Sequence, residues 1–100
     1  MADYKVIIYK KAQIDLKDIV EYLNELDEQA ALKYFDLLVT KIQNLCQMPH
    51  RCPLSQNIQL RIRGYRTMVV KDYIVFYVIK DNVVQIRRIL FARRRYEHIL

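Results

Sequence analysis

GYRTMVVKDYIVFYVIKDNVVQIRRILF, residues 64–91, is the stretch that decides the fold. It holds three runs rich in β-branched and aromatic residues: Gly64 to Val70, Tyr73 to Ile79, and Val83 to about Phe91. Such side chains favour a pleated, half-buried surface, so each run reads as a strand. Only Lys71-Asp72 and Asp81-Asn82 separate them. Two residues cannot carry a parallel crossover, and Asp and Asn tolerate the left-handed backbone of tight hairpins, which predicts an antiparallel meander. In the third run, strict alternation puts Val84, Ile86, Arg88 and Leu90 on one face and Val83, Gln85, Arg87, Ile89 and Phe91 on the other. An arginine then stands among aliphatic residues. Two arrangements accommodate it: a bulge that shifts the register, or a carboxylate partner for Arg88 at the core edge.

Upstream, Tyr4-Lys5-Val6-Ile7-Ile8-Tyr9 is too short for a helix and reads as a first strand. The period then changes. Leu16, Ile19, Val20, Leu23 and Leu26 recur at three- and four-residue steps among charged residues, predicting an amphipathic helix over about residues 12–26. After a polar break at Asp27-Glu28-Gln29, the residues Ala31, Phe35, Leu38, Ile42 and Leu45 form a second apolar seam that ends before Pro49. So short a break makes the two helices an antiparallel hairpin. Residues 47–63 read as a long irregular connection. The tail Ala92 to Leu100, with Arg93-Arg94-Arg95-Tyr96 at its centre, suggests a short C-terminal helix. The expectation is a single α+β domain over residues 1–100, ordered β-α-α-β-β-β. The helical hairpin should cover one sheet face, and the other face or its rim should carry the arginines.

Charge is divided unevenly along the chain. Residues 1–50 hold six Lys, no Arg and eight acids, a net of −2, while residues 51–100 hold nine Arg, two Lys and three acids, a net of +8. Arginine's planar fork suits phosphate and carboxylate, so the C-terminal half should meet an anionic partner. The chain is 53% hydrophobic, with one Gly and two Pro, which argues against disorder. No apolar run approaches a membrane span, and Met1 to Lys5 leads straight into strand-like sequence without a signal peptide's apolar core. The expectation is a cytoplasmic protein with no membrane role. Cys46 and Cys52 would be reduced thiols there. With His50 they offer three potential metal ligands at no recognised zinc spacing, so neither a metal nor a cofactor is expected. A plain basic nucleic-acid-binding module ranks last, because the first helix carries Asp15, Asp18, Glu21 and Glu25, which phosphate would repel.

Several blocks occur in the order found in one family: Lys11-Ala12 and Asp15-Leu16 after the first strand, then Leu45…Pro49, Gly64-Tyr65-Arg66, Tyr73-Ile74-Val75-Phe76-Tyr77 and Arg88-Ile89-Leu90-Phe91-Ala92-Arg93-Arg94. Together they cover nearly all of the chain, which resembles the RelE/ParE toxin superfamily. The resemblance implies a growth-inhibiting toxin of a type II toxin–antitoxin module, such as those that stabilise plasmids. An acidic antitoxin that folds on binding would neutralise it. A homodimer or a toxin–antitoxin hetero-oligomer would both suit the family.

Two activities follow from the resemblance. RelE-like members cut messenger RNA on the ribosome, and ParE-like members poison DNA gyrase. For the nuclease, attack by a ribose 2′-hydroxyl needs a base, an acid and cations around the phosphorus, and Arg66, Arg94 and Tyr96 are the catalytic candidates. Arg61, Arg63, Arg66, Arg93, Arg94 and Arg95 are candidates for contacting nucleic acid or another target. Arg87, Arg93, Arg94 and Arg95 are candidates for the antitoxin's carboxylates. His98 has the right intrinsic pKa for proton transfer, although its place in the last turn suits a solvated surface residue better. RelE-like nucleases generally carry an arginine in the central strand where this chain has Ile74, which cannot contact phosphate. That departure favours the ParE-like grouping, with gyrase as the expected target.

Overall fold

The structure, a computed structural model, describes residues 3–92. Its elements are β1 (Lys5–Ile8), α1 (Lys10–Leu26), α2 (Glu28–Gln43), α3 (Ile58–Ile62), β2 (Arg66–Val70), β3 (Tyr73–Lys80) and β4 (Val83–Phe91). The strands form a single sheet in the order β1-β4-β3-β2. The meander β2-β3-β4 is antiparallel throughout, as its short turns require. Within those turns the left-handed residues are the first of each pair, Lys71 at φ 54° and Asp81 at φ 56°. β1 completes the sheet on the far edge of β4, running parallel to it with Val6 beside Val84 and Ile8 beside Ile86. The sheet is therefore mixed.

The helical hairpin is tighter than the sequence suggests. The break shrinks to Asp27, whose amide donates to the Leu23 carbonyl while its carboxylate accepts from the Gln29 amide at 3.0 Å. One residue thus closes α1 and caps α2. Glu28 in the first turn and Lys41 in the last then complement the α2 dipole. Both helices lie on one face of the sheet, burying Ala12, Ile19, Leu38 and Ile42, with Leu45 from the 3-10 turn Asn44–Cys46 after α2, against Val75, Tyr77, Val84, Ile86 and Ile89. Leu26 and Phe35 are exceptions within their stripes. Leu26 is solvent-exposed at the hairpin turn, and Phe35 borders a groove beside Ile8, Leu16 and Val20.

Residues 47–63 are more ordered than an irregular connection. A 3-10 turn occupies Pro49–Arg51, and α3 follows. Asn57 caps α3 by accepting from the Gln59 and Leu60 amides at 3.0 and 3.1 Å. Gly64, at φ 82°, ends this helix instead of opening a strand, and β2 begins only at Arg66. α3 lies on the sheet face opposite the hairpin, where Leu60 and Tyr65 pack on Phe76 and Leu90 in a second, smaller cluster.

Both accommodations for Arg88 are present together. β4 slips by one residue against β3: Phe76 faces Arg88 while Tyr77 faces Ile86, so Arg87 is the extra residue of a bulge. Before the bulge the alternation holds. After it, Ile89 and Phe91 turn to the hairpin side and Leu90 to the α3 side, reversing strict alternation. The bulge also aims Arg88 at α1, where its Nε and Nη2 donate to Asp15 at 2.7 and 2.8 Å. The Ile89 amide donates to the same carboxylate at 2.9 Å. Among the described residues, no helix is long and apolar enough to cross a membrane.

Candidate functional site

The arginines expected to form one surface divide into two groups. Arg66 opens β2 and turns its guanidinium inward, with Nη1 donating to the Cys52 carbonyl at 2.6 Å and the His50 carbonyl at 3.3 Å. From the neighbouring strand, the Tyr77 hydroxyl donates to the Pro49 carbonyl at 2.6 Å. The Tyr4 amide holds the Cys46 carbonyl at 2.8 Å, and the Tyr4 ring meets His50 edge-on. Together these contacts clamp the segment between α2 and α3. Arg61 does similar work, its Nε donating to the Ser55 carbonyl at 2.9 Å. Burial raises the Tyr77 phenol well above its ordinary pKa, with a further push from its contact with Cys52, so it stays a neutral donor. Cys46 and Cys52 are free, half-buried thiols. Among the described residues, no three His, Cys, Asp or Glu side chains converge to hold a metal ion, so Cys46, His50 and Cys52 do not form a ligand set.

The second group packs on aromatic rings. Arg87 lies 4.7 Å above the centre of the Tyr9 ring and 5.9 Å from that of Tyr65, while Arg63 lies 5.1 Å from the centre of the Tyr65 ring. The Gln85 carboxamide oxygen accepts from Arg87 Nε and Nη2 at 3.2 and 2.9 Å and fixes the plane of the guanidinium. Tyr9, Lys10, Lys11, Arg87 and Arg88 line a recess of about 310 Å³. Arg88 brings its own counter-charge in Asp15; among the described residues, Lys10, Lys11 and Arg87 have no acid within ion-pair distance. The two lysines open α1, which has no side-chain cap and no acidic residue in its first turn. That is the end of a helix where cations are least favourable.

The sequence singles out Arg63 and Arg87 as binding candidates, and the structure places Tyr9 and Tyr65 against Arg87, with Lys10 and Lys11 in the same recess as Tyr9. The parallel pairing of β1 with β4 creates the recess, because it aligns Ile8 with Ile86 and so carries Tyr9 alongside Arg87. A surplus of acids in residues 1–50 hid the two lysines that line the recess. The local signal was Tyr9-Lys10-Lys11 at a strand-to-helix junction. Ile74 sits half-buried with Val78 against Phe76 and Leu90, so the central strand presents an apolar side chain at that point. Arg93, Arg94, Arg95, Tyr96 and His98 lie outside the described residues, as does the expected C-terminal helix.

Comparison with known proteins adds a family and a fold. Residues 6–96 match the family model of the ParE toxin of type II toxin–antitoxin systems, parDE. Among solved structures, the chain is similar to one from the chromosomal ParDE toxin–antitoxin system of P. aeruginosa. The two are 21% identical over 93% of this chain and 100% of that one, with a TM-score of 0.79. It is also similar to a chain of the RelBE2 toxin–antitoxin complex of Mycobacterium tuberculosis, at 22% identity over 91% of this chain and 93% of that one, with a TM-score of 0.58. At these identities the likeness is one of fold. None of the curated proteins matches the chain.

Proposed function

The chain belongs to the ParE toxin family of type II toxin–antitoxin systems, and on that premise we propose that it inhibits growth through DNA gyrase and is neutralised by a cognate acidic antitoxin. The observation that favours gyrase over the ribosome is the central strand, which offers Ile74 within an apolar cluster. Arg66, the nuclease candidate among the described residues, already donates through Nη1 to the Cys52 and His50 carbonyls. Transfer of a phosphoryl group from its leaving oxygen needs cations free to follow developing charge and a group to move the proton. Gyrase poisoning requires only a surface that holds a particular state of the target. The antitoxin would be a disordered acidic segment that orders on the toxin, suited to a C-terminal half with a net charge of +8.

Purified toxin added to gyrase, ATP and supercoiled plasmid should accumulate protein-linked, cleaved DNA, and prior addition of the antitoxin should prevent it. In a translation extract the messenger RNA should stay intact. Cleavage of message at the ribosome, with gyrase unaffected, would replace this function with a RelE-like endonuclease.

A further inference from the structure

The gyrase reading leaves the recess between β1, α1 and β4 without a role, and its chemistry is specific. We propose that Lys10, Lys11 and Arg87, with the ring of Tyr9, form a binding site for the phosphodiester backbone of nucleic acid. Three features lead there. The first is uncompensated charge. Asp15, the carboxylate closest to the recess along α1, is saturated by Arg88 and the Ile89 amide. Among the described residues, no acid lies within ion-pair distance of Lys10, Lys11 or Arg87. The second is preorganisation. Gln85 and Tyr9 hold the Arg87 fork in one plane through Nε, Nη2 and the ring face, while Nη1 has no hydrogen-bond partner among the described residues. A fixed fork with an open donor matches a phosphate better than a mobile ammonium does. The third is the aromatic component. Tyr9 is 38% exposed beside the cations, and an exposed flat ring next to positive charge is what nucleic-acid surfaces use to stack a base while gripping the backbone. An acidic polypeptide would use the charge and leave the ring idle.

The site does not depend on the toxin's target, because direct binding reads it out. The full-length protein is titrated into fluorescein-labelled duplex DNA, single-stranded DNA and RNA of equal length, with anisotropy measured from 50 to 200 mM salt. Three phosphate contacts should make log K fall about 2.7 per decade of salt, or about 40-fold across that range, for at least one of the three. The preferred oligonucleotide identifies the source of the backbone. Lys10→Gln/Lys11→Gln should weaken binding at least tenfold at low salt and reduce the slope by about 2. The charge-matched Lys33→Gln/Lys41→Gln, on the exposed side of α2, should leave both unchanged. All four lysines are exposed, and circular dichroism verifies that each variant is folded. Arg87→Lys keeps the charge but loses the fork and should bind more weakly than the parent. The proposal is overturned if no oligonucleotide binds at 50 mM salt, or if the two double variants weaken binding equally. It is also overturned if polyglutamate competes as well as nucleic acid charge for charge, since the surface would then serve an acidic protein.

Discussion

At the scale of single residues, the Asp15 carboxylate accepts from Arg88 Nε, Arg88 Nη2 and the Ile89 amide, with both side chains largely buried. Removing it leaves three donors in a site that water enters poorly, and the cost is that of uncompensated polar groups, not of one contact. Asp15→Ala should therefore destabilise the fold by about 3 kcal/mol in urea denaturation. Asp15→Leu/Arg88→Met should lose clearly less than its two single variants summed, because the pair's attraction largely offsets the cost of burying it. Additive losses would mean that the two residues act separately. Tyr77 is the second such residue, a buried hydroxyl whose partner is the Pro49 carbonyl. Tyr77→Phe should cost about 1.5 kcal/mol. It should also raise amide hydrogen exchange across residues 46–53 more than elsewhere, since that segment loses one of its clamps.

At the scale of elements, α1 begins against the rules that α2 obeys. It has no cap and two lysines at its positive end, where α2 has an aspartate cap and Glu28. If an anion normally faces this end, the unfavourable charge is functional, and relieving it should separate stability from binding. Lys10→Glu/Lys11→Glu should raise stability by about 0.5–1 kcal/mol and abolish nucleic-acid binding. A variant that is less stable would show that the lysines support the fold. The meander and the hairpin were legible in the sequence because their determinants are local: two-residue turns around Lys71 and Asp81, and apolar steps of three and four along α1 and α2. The conflict at Arg88 was legible too, and it marked the bulge. What stayed hidden was non-local. Nothing in Lys5–Ile8 announces β4 as its parallel partner, so the meeting of Tyr9 with Arg87 could not be read. α3 was missed because it is a single capped turn-and-a-half without periodicity, although Asn57 was a visible cap. The carbonyls of His50 and Cys52 beside Arg66 were hidden as well, because a strand-initial arginine gives no hint of what a folded loop will bring to it.

At the scale of the whole molecule, the layers differ in charge and in how they titrate. The outer surface of the hairpin exposes Asp18, Glu21, Glu25, Glu28 and Asp36, while Arg63 and Arg87 stand on the opposite side of the sheet. Between hairpin and sheet lie Tyr34, Tyr73 and Tyr77, with Tyr34 and Tyr73 in edge-on contact and Tyr34 donating to Asp72 at 3.0 Å. Burial is the main reason that all three phenols have raised pKa values, and the Asp72 carboxylate adds to the effect on Tyr34. A folded-state pKa above the unfolded value means that the native protein keeps protons the unfolded chain has already released. The stabilisation is complete below about pH 10, the ordinary tyrosine value, and is lost as pH rises through the folded-state values. Stability should thus hold steady across neutral pH and fall steeply above about pH 10. Lysine deprotonation contributes to this descent in every variant, so the comparison with Tyr77→Phe isolates the buried phenol. Urea midpoints measured between about pH 9 and pH 11 should fall less steeply for Tyr77→Phe, by close to one proton. Parallel curves for the two proteins would mean that Tyr77 ionises as readily in the folded chain as in the unfolded one, and the hydroxyl's hold on the Pro49 carbonyl would then not depend on its burial.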